Sequence, residues 1–386
     1  MNNKKNLSLL ILMSSITLMA ILCELMPTGF LPQIGSVYGK SISETGRLVG
    51  IYALASAIFG IPIISFTVSW DRKKLLTTLL AGFAISNLIV GLAPSFGFML
   101  FGRLLGGLCA GTLWPMITAY GMKLVDKNEE GRAVTIIMSG ITIGMSIGLP
   151  IMTIIGNLLT YRAIFLILGI SLVLIGILCH FKLPNIKGEN KSKSNSPITM
   201  LKNPGVLLVI ALTFLGVGAN YGVYTFITNL IKNATYPGVA MAQFFIGIGS
   251  IISVIMTIKF IDKYLHIMIL TLFALTAVVF LIFIGFKNVM LLHLVFFLWG
   301  LEFGSLSSIF QTATAYQVTK GVEVANSLQS SSFNFSIMIG STITGYLLES
   351  KGVSAMLFFA LVLSIIGLVV AFLNKRKFID KAWKIC

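Results

Sequence analysis

Apolar runs of about 20 residues or more, each closed by charge, proline, glycine or asparagine, recur along the whole chain. Their approximate limits are 7–33, 45–69, 75–94, 96–122, 133–156, 161–181, 205–231, 240–260, 266–286, 288–316, 323–348 and 353–373. About 20 apolar residues carry a helix across ~30 Å of hydrocarbon, so the pattern predicts twelve transmembrane helices. The runs are continuous, unlike the ~10-residue alternating strands of an outer-membrane barrel. One connection differs from the rest. Residues 183–203, LPNIKGENKSKSNSPITMLKN, are long and polar, and they divide the spans six and six. The expected architecture is an all-α membrane protein of two six-helix bundles, 1–182 and 204–386, joined by a linker over 183–203 and ending in a short basic tail.

Composition agrees with this reading. The chain is 56% hydrophobic and 10% charged over 386 residues, where a soluble domain carries roughly a quarter charged residues. The net charge of +16 suggests nucleic-acid binding in a soluble protein. Here the basic residues are topological instead. With the N-terminus inside, 21 of the 28 Lys and Arg residues fall in cytoplasmic loops or span ends and six in outer ones, with only Arg103 well inside a span. That asymmetry places both termini in the cytoplasm, by the positive-inside rule. The start of the chain imitates a secretory signal ending at Cys23, but Leu22 stands where a small residue is needed and the run continues to about Phe30. It reads as the first span. Cys23, Cys109, Cys179 and Cys386 lack metal-ligand spacing, as do His180, His266 and His293. No metal or cofactor is expected. Nothing resembles a nucleotide-binding domain or a catalytic constellation, which disfavours a pump driven by ATP and a membrane enzyme.

Three charged residues lie within spans, away from their ends: Glu24, Arg103 and Glu302. A charged side chain at the bilayer centre costs about 2.5–3.5 kcal/mol on insertion scales and needs a partner, a cavity or a function. Glu24 stands in CELMPTGFLPQ, between an apolar helix and two prolines. On a helical wheel it shares an arc of about 80° with Ser14, Thr17 and Thr28. Glu302 shares a similar arc of about 80° with Ser305, Thr312 and Tyr316. Both acids are candidate proton carriers, the alternative being hydrogen bonds to a neighbouring helix. Arg103 keeps its proton, so it pairs, snorkels or lines water. Gly140, Gly144 and Gly148 repeat every four residues before Pro150. That spacing lets two backbones approach closely, and the proline bends the helix. Thr28, Asn220, Tyr224, Gln329 and Asn334 offer hydrogen bonds to a substrate or to other helices, and Trp114 offers apolar wall or packing.

These stretches resemble the major facilitator superfamily over nearly the whole chain, within its twelve-span drug:proton antiporters, near the bacterial sugar-efflux and chloramphenicol-exporting permeases. The resemblance rests on CELMPTGFLPQI, GIPIISFTVSWDRKKLL, GRLLGGLCAGTLWP, SGITIGMSIGLPIMTIIG, ALTFLGVGANYGVYTFI and ANSLQSSSFNFSIMIGSTITG. Two departures stand out. Asp71 runs directly into Arg72, Lys73 and Lys74 without an intervening glycine, and Asn220 replaces an expected His.

The resemblance implies a monomeric exporter of small molecules in a bacterial cytoplasmic membrane, driven by a proton gradient and working by alternating access. It implies that Arg103 assists an acidic partner, with Glu24 the first choice. It implies that Asp71 latches the inner ends of the halves, the N-terminus of helix 11 near Gly321–Ala325 being a suitable partner, with a weaker echo at Asp262-Lys263. It marks the Gly140–Pro150 pattern as an exporter feature, which we expect between the two halves. An importer or uniporter on the same scaffold and a non-transporting sensor or scaffold are the alternatives. Sugars, chloramphenicol-like drugs, nucleosides and amino-acid derivatives are all exported by similar proteins, so the resemblance names a class.

Overall fold

The computed structural model describes residues 3–40, 42–189 and 196–378. The middle of the linker, with Lys191 and Lys193, and the tail from 379 onward lie outside the described residues. In chain order the helices are α1 (Asn3–Leu25), α2 (Leu31–Tyr38), α3 (Ile42–Thr67), α4 (Arg72–Leu92), α5 (Phe96–Met122), α6 (Glu130–Ile143), α7 (Leu149–Leu158), α8 (Tyr161–Lys182), α9 (Pro197–Leu201), α10 (Pro204–Thr225), α11 (Ile227–Asn233), α12 (Val239–Gly285), α13 (Val289–Phe303), α14 (Leu306–Ala315), α15 (Val322–Lys351) and α16 (Val353–Leu373). Every predicted span is occupied by helix.

Among the described residues, ten helical segments are long and apolar enough to cross a membrane. One of them, α12, is 47 residues long and breaks at Tyr264 (φ −127°, ψ 27°), so it covers two predicted spans. The Ser- and Asn-rich α15, 30 residues long, covers the remaining one.

Several spans are interrupted where the sequence dictates it. The first stops at Leu25, passes through a 3₁₀ turn over Met26–Gly29 and resumes as α2. Pro27 lacks the N–H that would bond to the Cys23 carbonyl four residues back, so the α-helix ends there. Pro150 has a similar effect in the fifth span. Between α6 and α7 the backbone widens into a π turn over Gly144–Gly148, the adjustment that accommodates a missing donor. The tenth span breaks at Gly304 and Ser305, immediately after Glu302.

The chain forms two compact units. The first holds Met1–Lys127, Ile136–Met200 and Lys320–Ser331; the second holds Asn128–Thr135, Leu201–Thr319 and Ser332–Cys386. The short exchanges are informative. The start of α6 groups with the second unit and the start of α15 with the first. The first unit is organised by α3 on α5 and by α4 on α5 and α8. In the second, α12 packs on α13 and α16 around two apolar clusters, one centred on Phe280, Phe296 and Trp299 and the other on Phe273 and Phe310.

Candidate functional site

In the first unit the polar centre is Arg103, on α5 and only 2% exposed. Each of its three guanidinium nitrogens donates a hydrogen bond. Nε donates to the Leu48 carbonyl at 2.9 Å, Nη1 to the Cys23 carbonyl at 2.5 Å and Nη2 to the Glu24 carbonyl at 2.7 Å. The Tyr52 ring covers it, with the centroid 4.2 Å away. The cause lies in the sequence of α1. The last carbonyls of a helix lack intrahelical partners, and Pro27 specifically deprives Cys23 of its donor. Arg103 supplies the missing donors with a planar fork that a lysine does not have.

The expected pairing of Arg103 with Glu24 therefore runs through the main chain of Glu24. The Glu24 carboxyl makes no ion pair with any described residue. It stays half-buried, next to a backbone that Arg103 holds rigid.

The polar arc predicted on the first span divides into separate tasks. Ser14 meets the Ser139 hydroxyl at 3.2 Å and Thr17, fully buried, donates to the Ile137 carbonyl. Both tie α1 to α6. Thr28 is exposed and donates back to the Leu25 carbonyl at 2.6 Å. Of the four, only the Glu24 side chain makes no hydrogen bond among the described residues. The glycine face of the fifth span packs on the first span. A Cβ on Gly140 would collide with the Ser14 carbonyl and the Thr17 hydroxyl, and one on Gly144 would lie 2.5 Å from the Ile21 side chain. The face is committed to α1 of the same unit. Trp114, half-buried, lends its carbonyl to Thr118.

In the second unit the structure joins Glu302 and Asn220. Asn220 is fully buried, and both of its amide hydrogens are used. One bonds to the Gly216 carbonyl and the other to Glu302 Oε1, each at 2.9 Å. Its Oδ1 accepts from Trp299 Nε1 at 2.7 Å. The directions are consistent, Trp299 to Asn220 to Glu302, so the carboxyl is held in one orientation. Thr276 is the second polar neighbour of the same carboxyl. Asn220 thus has no donor left for a substrate. Tyr224 packs against Trp299 and Phe303, with ring centroids 6.0 and 5.4 Å apart. Gln329 and Asn334 fall on different sides of the unit boundary, in the first and second units respectively.

At the turn between α3 and α4, Asp71 accepts from Asn185 Nδ2 at 3.2 Å, and the contact with the start of α15 is made by its neighbour. Arg72 is buried, with Nε 2.7 Å from Glu323 Oε1, and it also donates to the Thr67 and Val68 carbonyls. Lys74 lies over the Trp70 ring at 5.7 Å, and Lys73 is half-buried. The echo at Asp262, within the second unit, does contact a helix N-terminus. Its two carboxylate oxygens accept from the backbone N–H groups of Gly131 and Arg132 at 2.6 and 2.9 Å, and Tyr316 donates to it at 3.0 Å. A carboxylate there meets both unpaired amides and the positive end of the helix dipole.

Glu323 was not singled out from the sequence. Its signal is an acid in the first turn of a helix, a common feature. The pair it forms is dry: the side chains of Arg72 and Glu323 are 0% and 2% exposed. Removing one partner takes from the other its nearest opposite charge in a dry place. Arg72→Met and Glu323→Gln should each destabilise the purified protein by about 3–5 kcal/mol, while the double replacement loses less than the sum. Thermal melts of the four variants in detergent check this.

The comparisons fit this picture. The sequence model of the Major Facilitator Superfamily matches residues 13–324. A probable sugar efflux transporter of Pasteurella multocida is 25% identical over 361 residues, covering 92% of this chain and 89% of the relative. A chloramphenicol efflux pump of Mycobacterium tuberculosis is 24% identical over 249 residues, covering 63% of this chain and 60% of the pump. Among solved structures, the human organic anion transporter MFSD10 superposes with a TM-score of 0.76 at 14% identity, over 96% of this chain and 100% of that one. The transporter FucP in its outward conformation gives 0.73 at 14% identity, over 97% and 99%. The helical architecture and the match over most of the sequence together place the chain in the Major Facilitator Superfamily, as a membrane transporter and not an enzyme.

Proposed function

We propose that this transporter exports small molecules, sugar-like or drug-like, in exchange for protons, by alternating access across a bacterial cytoplasmic membrane. The observation that carries the reading is Glu24: an acid within a span, with no ion pair or side-chain hydrogen bond among the described residues, beside a helix end that Arg103 fixes. Glu302 is the second candidate proton carrier, its carboxyl oriented by Asn220. The names of the relatives, sugar efflux and chloramphenicol efflux, support export and the substrate classes. The energy suffices. One proton moving down about 100 mV releases about 2.3 kcal/mol, which sustains roughly fifty-fold accumulation of a neutral substrate.

The test is an accumulation screen. Cells expressing wild-type protein should accumulate less of at least one labelled sugar or amphenicol drug than cells expressing Glu24→Gln, and collapsing the proton gradient should abolish the difference. Greater accumulation with wild-type protein would mean import and overturn the proposed direction.

A further inference from the structure

The linker read from the sequence as a hydrophilic connection is in part a built structure. From the end of α8 it runs extended along the turn between α3 and α4. The Tyr120 hydroxyl donates to the Pro184 carbonyl at 2.5 Å, the Arg72 N–H to the Ile186 carbonyl at 2.8 Å, and the Glu189 N–H to the Val68 carbonyl at 2.9 Å. Gly188 lies so close that a Cβ would sit 2.5 Å from the Val68 and Trp70 carbonyl oxygens. This strap delivers Glu189 to the start of α15. Its Oε2 accepts from the Gly321 N–H at 2.8 Å, and its Oε1 lies 3.7 Å from Lys123 Nζ. Gly321 has φ +73°, a left-handed turn that suits glycine, and its carbonyl accepts the Ala325 N–H. Its own N–H therefore stands at the positive end of the helix, where an anion is favoured. Lys123 also reaches Glu323 at 3.9 Å. All of these residues belong to the first unit.

We propose that Glu189 is a positioning residue of the transport cycle: it clasps the inner end of α15 to the α3–α4 turn and is the part of that attachment that releases. Glu189 occupies the helix terminus that the family resemblance would give to Asp71. The network has a dry half and a wet half. Arg72 and Glu323 are buried, whereas Lys123 and Glu189 are 31% and 25% exposed. Salt screens the exposed contacts and leaves the buried pair nearly untouched. Release therefore begins at Glu189. The proposal rests on the alternating-access reading above, since a clasp matters only if α15 must change partners.

The reporter is a Val322→Cys substitution in the full chain with Cys386→Ser. Cys23, Cys109 and Cys179 are buried. Purified in detergent, the protein is mixed with a bulky maleimide and the initial labelling rate is followed. Glu189→Gln should raise that rate about tenfold at low salt, equivalent to about 1.4 kcal/mol, and Lys123→Gln should raise it less. Lys287→Gln, outside the network, should leave it unchanged. The reporter carrying native Glu189 should label faster as salt rises and converge on the Glu189→Gln rate. That salt titration needs no variant of Glu189, so it stands if Glu189→Gln fails to fold. Equal rates with and without Glu189, or salt independence of the native reporter, would overturn the proposal. The assay uses neither substrate nor a proton gradient, so its failure is separate from a failure of the export reading.

Discussion

Glu24→Gln should abolish export driven by an imposed pH gradient, taking accumulation from roughly fifty-fold to equilibrium. The amide is nearly the same size but carries no exchangeable acid proton. The surroundings predict little structural cost. The Glu24 carboxyl makes no ion pair among the described residues, and the hydrogen bond that holds this residue runs from Arg103 to its main-chain carbonyl. The variant should therefore melt at the wild-type temperature and still exchange labelled for unlabelled substrate at equal concentrations. Proteoliposomes with a fixed pH difference check both halves. Gradient-driven export at the wild-type level would remove Glu24 from the coupling and leave Glu302 as the acid to test.

The second large effect concerns stability. Arg103→Leu leaves the Cys23 and Glu24 carbonyls without their donors in a buried place. Buried unsatisfied groups cost about 1–3 kcal/mol each, so a loss of about 3 kcal/mol is expected. Arg103→Lys should recover only part of it, because one ammonium cannot reproduce three directed contacts. The account makes a sharper demand on Pro27. Pro27→Ala restores the N–H that Cys23 lacks, so Pro27→Ala with Arg103→Leu should be more stable than the sum of the single effects, by about 1 kcal/mol. Additivity in thermal melts would show that the proline and the arginine are not linked.

The helices were legible because a membrane span needs a long apolar run, and polar punctuation marks its ends. The break after Glu24 was legible for the same reason, since two prolines cannot continue a helix. Arg103 and Glu302 were visible as charges in the wrong solvent. What the sequence hid was partnership. Arg103 pairs with carbonyl oxygens, which every residue has, so composition cannot mark them; only the i−4 relation of Pro27 to Cys23 pointed there. The glycines of the fifth span announced a close approach without saying to which helix, because a glycine has no side chain to select its neighbour. Glu323 and Glu189 were overlooked because acids at helix starts and in linkers are ordinary. Their meaning comes from Arg72 and Gly321, more than 100 residues distant in sequence from at least one of them.

The most direct test of the coupling is to record protons and substrate in the same vesicles. Wild-type protein is reconstituted with a trapped pH dye and loaded with the substrate found in the accumulation screen. As substrate leaves down its gradient, protons should enter, the dye should report acidification inside, and Glu24→Gln should show substrate exchange with no change in the dye. Substrate leaving wild-type vesicles without proton entry, or with protons moving outward alongside it, would contradict the account.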